Sequence, residues 1–134
     1  MRFMMIMLPA GYASAPAGQR PELKAIEKMM GYNMSLQQAG VLLALDGLHP
    51  ASTGARVTTV DGKVKVTDGP FAEAKEAIGG YWVLDVGSRA EAIAWASRCP
   101  LEPGDTIEVR QVFEMTDFSP DVQKAVADMH STCA

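Results

Sequence analysis

The period of the apolar positions changes several times along this chain, and each change marks an element. Residues 2–8 (RFMMIML) hold an unbroken apolar run after Arg2, which predicts a strand buried on both faces and central in its sheet. Residues 9–19 (PAGYASAPAGQ) are small, with Pro and Gly, and read as a loop. From Pro21 onward, Leu23, Ile26, Met30, Met34 and Gln37 fall on one helical stripe, and Gly40 is a suitable stop. Val41 to Leu48 reads as a second strand, closed by His49-Pro50. The runs ARVTTV and KVKVT within residues 55–67 alternate β-branched positions around Asp61-Gly62, a pair favoured by type I′ turns, so a hairpin is predicted. Gly79-Gly80 leads into a strand over Tyr81–Val86. Ser88-Arg89-Ala90-Glu91 has the form of a capping box and predicts a helix to about Arg98, ahead of Pro100. Thr106 to Phe113 is the last core strand. A short helix starts at Ser119-Pro120-Asp121, with Val122, Val126 and Met129 on one face.

With the hairpin set aside, the order is β-α-β-β-α-β. The predicted fold class is α+β: a ferredoxin-like βαββαβ unit with an antiparallel sheet, the hairpin inserted between the second and third core strands, and a short C-terminal helix. One domain accounts for residues 1–134, with its core at about 2–114 and a helical extension at about 119–129. Such a unit lays both helices on one sheet face and leaves the other uncovered. In the last strand Ile107, Val109 and Phe113 point one way, while Glu108 and Arg110 point the other. The first strand is apolar on both faces. An outer face that is part apolar and part charged predicts a second subunit, hence a homodimer.

Composition narrows the functional classes. The chain is 48% hydrophobic and 21% charged, too apolar for a disordered protein. Its net charge of −4 leaves no basic surplus to neutralise phosphates, which argues against nucleic-acid or anionic-membrane binding. No apolar run approaches transmembrane length. The start imitates a secretory signal, but Pro9 ends the run Phe3–Leu8 too early for one, so a first strand explains it better. Cys99 and Cys133 lack metal-ligand spacing and read as free thiols in a cytoplasmic protein.

Chemistry could reside in the stretch VTDGPFAEAKEAIGGYWVLDV, residues 66–86. Asp68, Lys75 and Glu76 are candidate catalytic groups, with Glu73 beside them as a further cavity candidate. The competing reading is structural: Asp68 caps a turn, Pro70 fixes the backbone and Phe71 anchors it in the core. His49 could reach a cavity mouth and work near neutral pH, although a lone His before Pro is commonly a turn residue. Glu108 and Arg110 could hold a polar ligand, or pair across the sheet or a dimer interface. Of Tyr81 and Trp82, whichever faces the cavity could stack on a small ligand; Trp82 is taken as the candidate. No zinc spacing, phosphate-cradling Gly loop or other cofactor motif is present.

The motif DGPFAEAKEAIGGYWVLDV, followed by a helix with Ala92 and Trp95 and then IEVRQV, closely resembles the DGPF-domain branch of the YCII-related family, over Met4 to Glu114. The resemblance implies a dimeric α+β barrel, two sheets facing each other around a cavity that takes an unknown small molecule. Genes of this branch are often found near extracytoplasmic-function sigma factors, which implies the alternative of a non-catalytic regulatory or interaction module in a stress response. The YCII proteins proper resemble enzymes with a histidine–aspartate pair. Here Leu23 stands at the histidine position (Arg20-Pro21-Glu22-Leu23) and Cys99 at the aspartate position (Arg98-Cys99-Pro100). Whether the chain is an enzyme is therefore left open by its residues.

Overall fold

A computed structural model describes residues 1–18, 20–71 and 76–133, with the side chain of Cys133 left aside. The first strand, β1 (Arg2–Leu8), lies inside a four-stranded antiparallel sheet. Following it in the chain are α1 (Leu23–Gln38), β2 (Leu42–Gly47), the hairpin strands β3 (Ala55–Val60) and β4 (Lys63–Asp68), β5 (Gly80–Asp85), α2 (Arg89–Ser97), β6 (Thr106–Gln111) and α3 (Pro120–Cys133). The sheet order is β2-β5-β1-β6, with every neighbouring pair antiparallel. This is the ferredoxin-like α+β arrangement that the element order predicts. β3 and β4 form a separate two-stranded sheet. Their turn places both Asp61 (φ 51°) and Gly62 (φ 75°) in the left-handed region, as a type I′ turn requires.

The core follows from the period of two in β1. Phe3 and Met5 face the helices and are fully buried, and they meet Trp82 and Leu84 of β5, Tyr32 and Leu36 of α1, and Ala92 and Ala96 of α2. The small alanines let α2 approach the sheet closely. The two core aromatics with polar ends, Trp82 and Tyr32, have them satisfied. Trp82 donates its indole N–H to Asn33 Oδ1 at 2.7 Å, and the Tyr32 hydroxyl donates to the Trp95 carbonyl at 2.7 Å. The two rings meet edge to face, 5.9 Å apart at 88°. Burial pushes the Tyr32 phenol well above its ordinary range. At α2 the Ser88 hydroxyl accepts from the Glu91 N–H, as a cap should, while Glu91 turns back to the Gly87 N–H at 2.6 Å.

Two expectations need correction. The stripe Leu23, Ile26, Met30 and Met34 faces away from the sheet, at 72%, 39%, 58% and 55% exposed. A second stripe of the same period, Ala25, Met29, Tyr32 and Leu36, is the one turned inward. Tyr32 decides this, because only that rotation brings its ring to Trp82 and Asn33 to the indole N–H. The last strand stops at Gln111 instead of running to Phe113. There the Arg2 guanidinium holds Glu114 through two hydrogen bonds, of 2.7 and 3.1 Å, and a capping box between Glu114 and Asp117 turns the chain. Phe113 consequently points outward and stacks on Phe118 at 5.1 Å. α3 runs further than its sequence pattern suggests, to Cys133.

The inward stripe gives a direct test. Leu36→Ala empties a fully buried position and is expected to lower unfolding free energy by ~2–5 kcal/mol in urea denaturation. Met30→Ala, on the outward stripe, is expected to change it by less than about 0.5 kcal/mol. The reverse ranking would show that the first stripe is the core face.

Candidate functional site

At the end of the sheet where β1 and β2 finish and β5 begins, the chain borders an open cleft of about 670 Å³. The glycine pair makes this convergence possible. A Cβ on Gly79 would lie 2.6 Å from the Pro9 ring, and one on Gly80 would lie 2.8 Å from the Asp46 carbonyl oxygen. With no side chains there, the Gly79 N–H donates to the Met7 carbonyl at 2.7 Å and the Gly79 carbonyl accepts from the Leu48 N–H at 2.8 Å. Three chain segments are thereby drawn to one point.

The polar lining comes from loops fastened to that point. Tyr12 donates its hydroxyl to the Leu48 carbonyl, and partial burial raises its phenol pKa. Asp105 accepts from the Ala10 N–H at 2.9 Å with one oxygen and from the Glu102 N–H at 3.0 Å with the other. That carboxylate ties the α2–β6 loop to the end of β1 and sets Glu102 at the cleft. Arg20 enters from the segment before α1, and His49 from the end of β2. Pro9, Pro21, Leu48 and Pro50 supply apolar wall. The residues lining the cleft therefore include an arginine, a histidine and a glutamate beside a largely apolar wall.

The residues singled out from the sequence are distributed as follows. His49 lines the cleft. Asp68 ends β4 and is exposed, Glu76 is exposed, and neither lines the cleft. Glu73 and Lys75 lie outside the described residues. Trp82 is a core residue, corrected from cavity candidate, because its strand position turns it to the helices; Tyr81 takes the uncovered face and donates its hydroxyl to Asp46 at 2.9 Å. Glu108 and Arg110 pair with each other at 3.3 Å on that same face, well exposed, where such a pair contributes little to stability. Arg20 and Glu102 were missed as site residues. Arg20 drew attention only as part of Arg20-Pro21, and nothing local marks Glu102, which Asp105 brings in from a distant loop.

The Asp-Gly-Pro-Phe turn supports the site from behind. The Gly69 N–H donates to the Gly54 carbonyl at 2.9 Å, and any side chain at Gly69 would run into the Ala51 carbonyl. The Gly69–Pro70 bond is cis. Phe71 lies under the Arg56 guanidinium, 4.0 Å from ring centre to carbon. The motif thus clamps the turn Ala51–Thr53, which directly follows His49-Pro50.

A family model described as the YCII-related domain matches residues 1–116, most of the chain. The chain belongs to this family. An uncharacterised protein of Rhizobium meliloti (strain 1021) is 37% identical over 59 residues, a match covering 44% of this chain and 48% of that protein. The chain thus matches about half the length of this curated relative. α3 lies beyond the matched residues. Within the YCII-related domain, Leu23 is exposed, and Cys99 is buried with its sulfur 3.9 Å from Met29 Sδ. Burial, aided by the negative charge of Asp105, pushes the Cys99 thiol up to about 11. Neither side chain is suited to general acid–base work at neutral pH. Among the described residues no cluster of three His, Cys, Asp or Glu is arranged to hold a metal ion, and no helix is long and apolar enough to cross a membrane.

Cys99 can be isolated in a Cys133→Ser variant. In the native protein at pH 7 its thiolate fraction is on the order of 10⁻⁴, so reaction with Ellman's reagent should be slow and become complete only on unfolding. The raised thiol pKa contributes stability that is present below its ordinary value of 9.0 and lost as pH rises towards about 11. Rapid native labelling at pH 7 would contradict the buried placement.

Proposed function

We propose that this YCII-related protein, of the DGPF-containing branch, binds a small polar organic molecule in the cleft at the end of its sheet and works as a cytoplasmic homodimer. The convergence of Arg20, His49 and Glu102, from three separate segments, on one part-apolar cleft carries this reading. The volume falls in the range usual for small-molecule sites. Arg20 suits a carboxylate or phosphate, and His49 and Glu102 can exchange hydrogen bonds with neutral polar groups beside it. In this reading the DGPF turn is a positioning device that holds the loop after His49. The homodimer is supported by the open sheet face, where Met4, Ile6 and Val83 lie half-buried between the charged edges at Asp46 and Glu108–Arg110. Cys99, free of a disulfide among the described residues, supports a cytoplasmic setting.

A non-catalytic regulatory module is the second reading. One observation favours it: the two positions where the family's enzymes resemble a histidine–aspartate pair hold an exposed leucine and a buried thiol.

Thermal unfolding of the wild type against a panel of small carboxylates and phosphate monoesters separates the two. A cleft ligand should raise the melting temperature by several degrees at saturating concentration, and Arg20→Ala should abolish the shift with little effect on the unliganded melting temperature. No shift from any member of the panel would count for the regulatory module. Independently, sedimentation equilibrium should return twice the 14.3 kDa chain mass. A monomer would remove the homodimer and leave the cleft, which lies within one chain.

A further inference from the structure

The β3–β4 hairpin stands apart from the four-stranded sheet. It stands as a two-stranded sheet of its own, and a lone ribbon of that kind is at best marginally stable in water. The pairings Val57 with Val66 and Thr59 with Val64 put three valines on one face. Arg56, Thr58, Val60, Lys65 and Thr67 take the other. This alternation is the pattern of a strand pair with one buried side. Yet Val57, Val64 and Val66 are 68%, 71% and 62% exposed. Among the described residues the base of the ribbon is held through the Gly54–Gly69 hydrogen bond and the Arg56–Phe71 stack.

The size of the open sheet face bears on what covers those valines. Four strands ~4.8 Å apart and ~20 Å long present roughly 400 Å² of footprint. A standard stable interface buries about 800 Å² on each partner. Measured as footprint, the sheet face alone falls short of the usual area. The valine face of the hairpin adds roughly 200 Å² and covers an equal patch on whatever it meets. A reciprocal exchange, in which each copy gives one hairpin face and receives one, makes up the difference. Twofold symmetry supplies that reciprocity without any new surface.

We infer that the Val57–Val64–Val66 face of the hairpin is a clasp that packs on a second copy of this chain and completes a dimer interface too small without it. The inference rests on the homodimer reading above and adds to it the element that makes the dimer stable.

The test is a dilution series in analytical ultracentrifugation on three full-length proteins. The combined Val57→Thr, Val64→Thr and Val66→Thr variant keeps β-branched shape and removes the apolar face, and should raise the dissociation constant at least about tenfold over wild type. Val60→Thr, on the opposite face of the same ribbon, should leave it within about twofold. Amide hydrogen exchange over residues 55–68 of the wild type should slow as concentration rises through the dimerisation range, and this measurement decides alone if the triple variant does not fold. A wild-type dimer whose affinity is unchanged by the triple substitution, or whose hairpin exchange ignores concentration, overturns the clasp and leaves the homodimer standing. A wild type that stays monomeric throughout overturns both.

Discussion

β1 is hydrogen-bonded on both sides, to β5 from Arg2 to Met7 and to β6 from Phe3 to Leu8. A strand held on both edges has its two sets of side chains committed to opposite faces, with no freedom to rotate. Phe3 and Met5 must then enter the helix-covered side, and Met4, Ile6 and Leu8 must appear on the other. The core, the open sheet face and the position of the cleft all follow from this one placement. The cleft lies where it does because Pro9 ends β1 and cannot donate a further ladder hydrogen bond.

The packing at that end of the sheet relies on absent side chains more than on present ones. Gly79 and Gly80 let the Pro9 ring and the Asp46 carbonyl come closer than any Cβ would allow. The loops bearing Arg20, His49 and Glu102 then share one space, held by Tyr12 and by the two oxygens of Asp105. The DGPF turn works at one remove. Its glycine sits against Ala51 and its phenylalanine under Arg56, so it stiffens the segment that follows His49. A motif dense in charge can therefore be organised around a backbone contact, with Asp68 itself left exposed.

Stability and openness are distributed unevenly. The Tyr32–Trp82–Asn33 group fills the core with the Tyr32 hydroxyl and the Trp82 indole N–H both paired. The hairpin and the outer stripe of α1 carry exposed apolar groups, and the opposite sheet face carries half-buried ones. These uneven faces are the feature on which the proposed homodimer rests.

Much of the fold was legible in residue order, because the signals are local or strictly periodic. The β1 run, Asp61-Gly62 and the Ser88 cap each act within a few residues, and their physical meaning does not depend on distant neighbours. The placement of His49 just after a strand was legible for the same reason. The rotation of α1 was not. Leu23-Ile26-Met30-Met34 and Ala25-Met29-Tyr32-Leu36 have the same helical period, and greasiness alone prefers the wrong one. Contact between Tyr32 and Trp82, distant in sequence, made the choice. Arg20 and Glu102 were equally hidden, since each is ordinary where it stands and only strand order and Asp105 bring them beside His49. The sequence by itself determined the elements and their order through short-range backbone and periodic constraints. Which faces turned inward, and which side chains came to share the cleft, was decided by tertiary structure, because those outcomes depend on packing between residues that the chain keeps far apart.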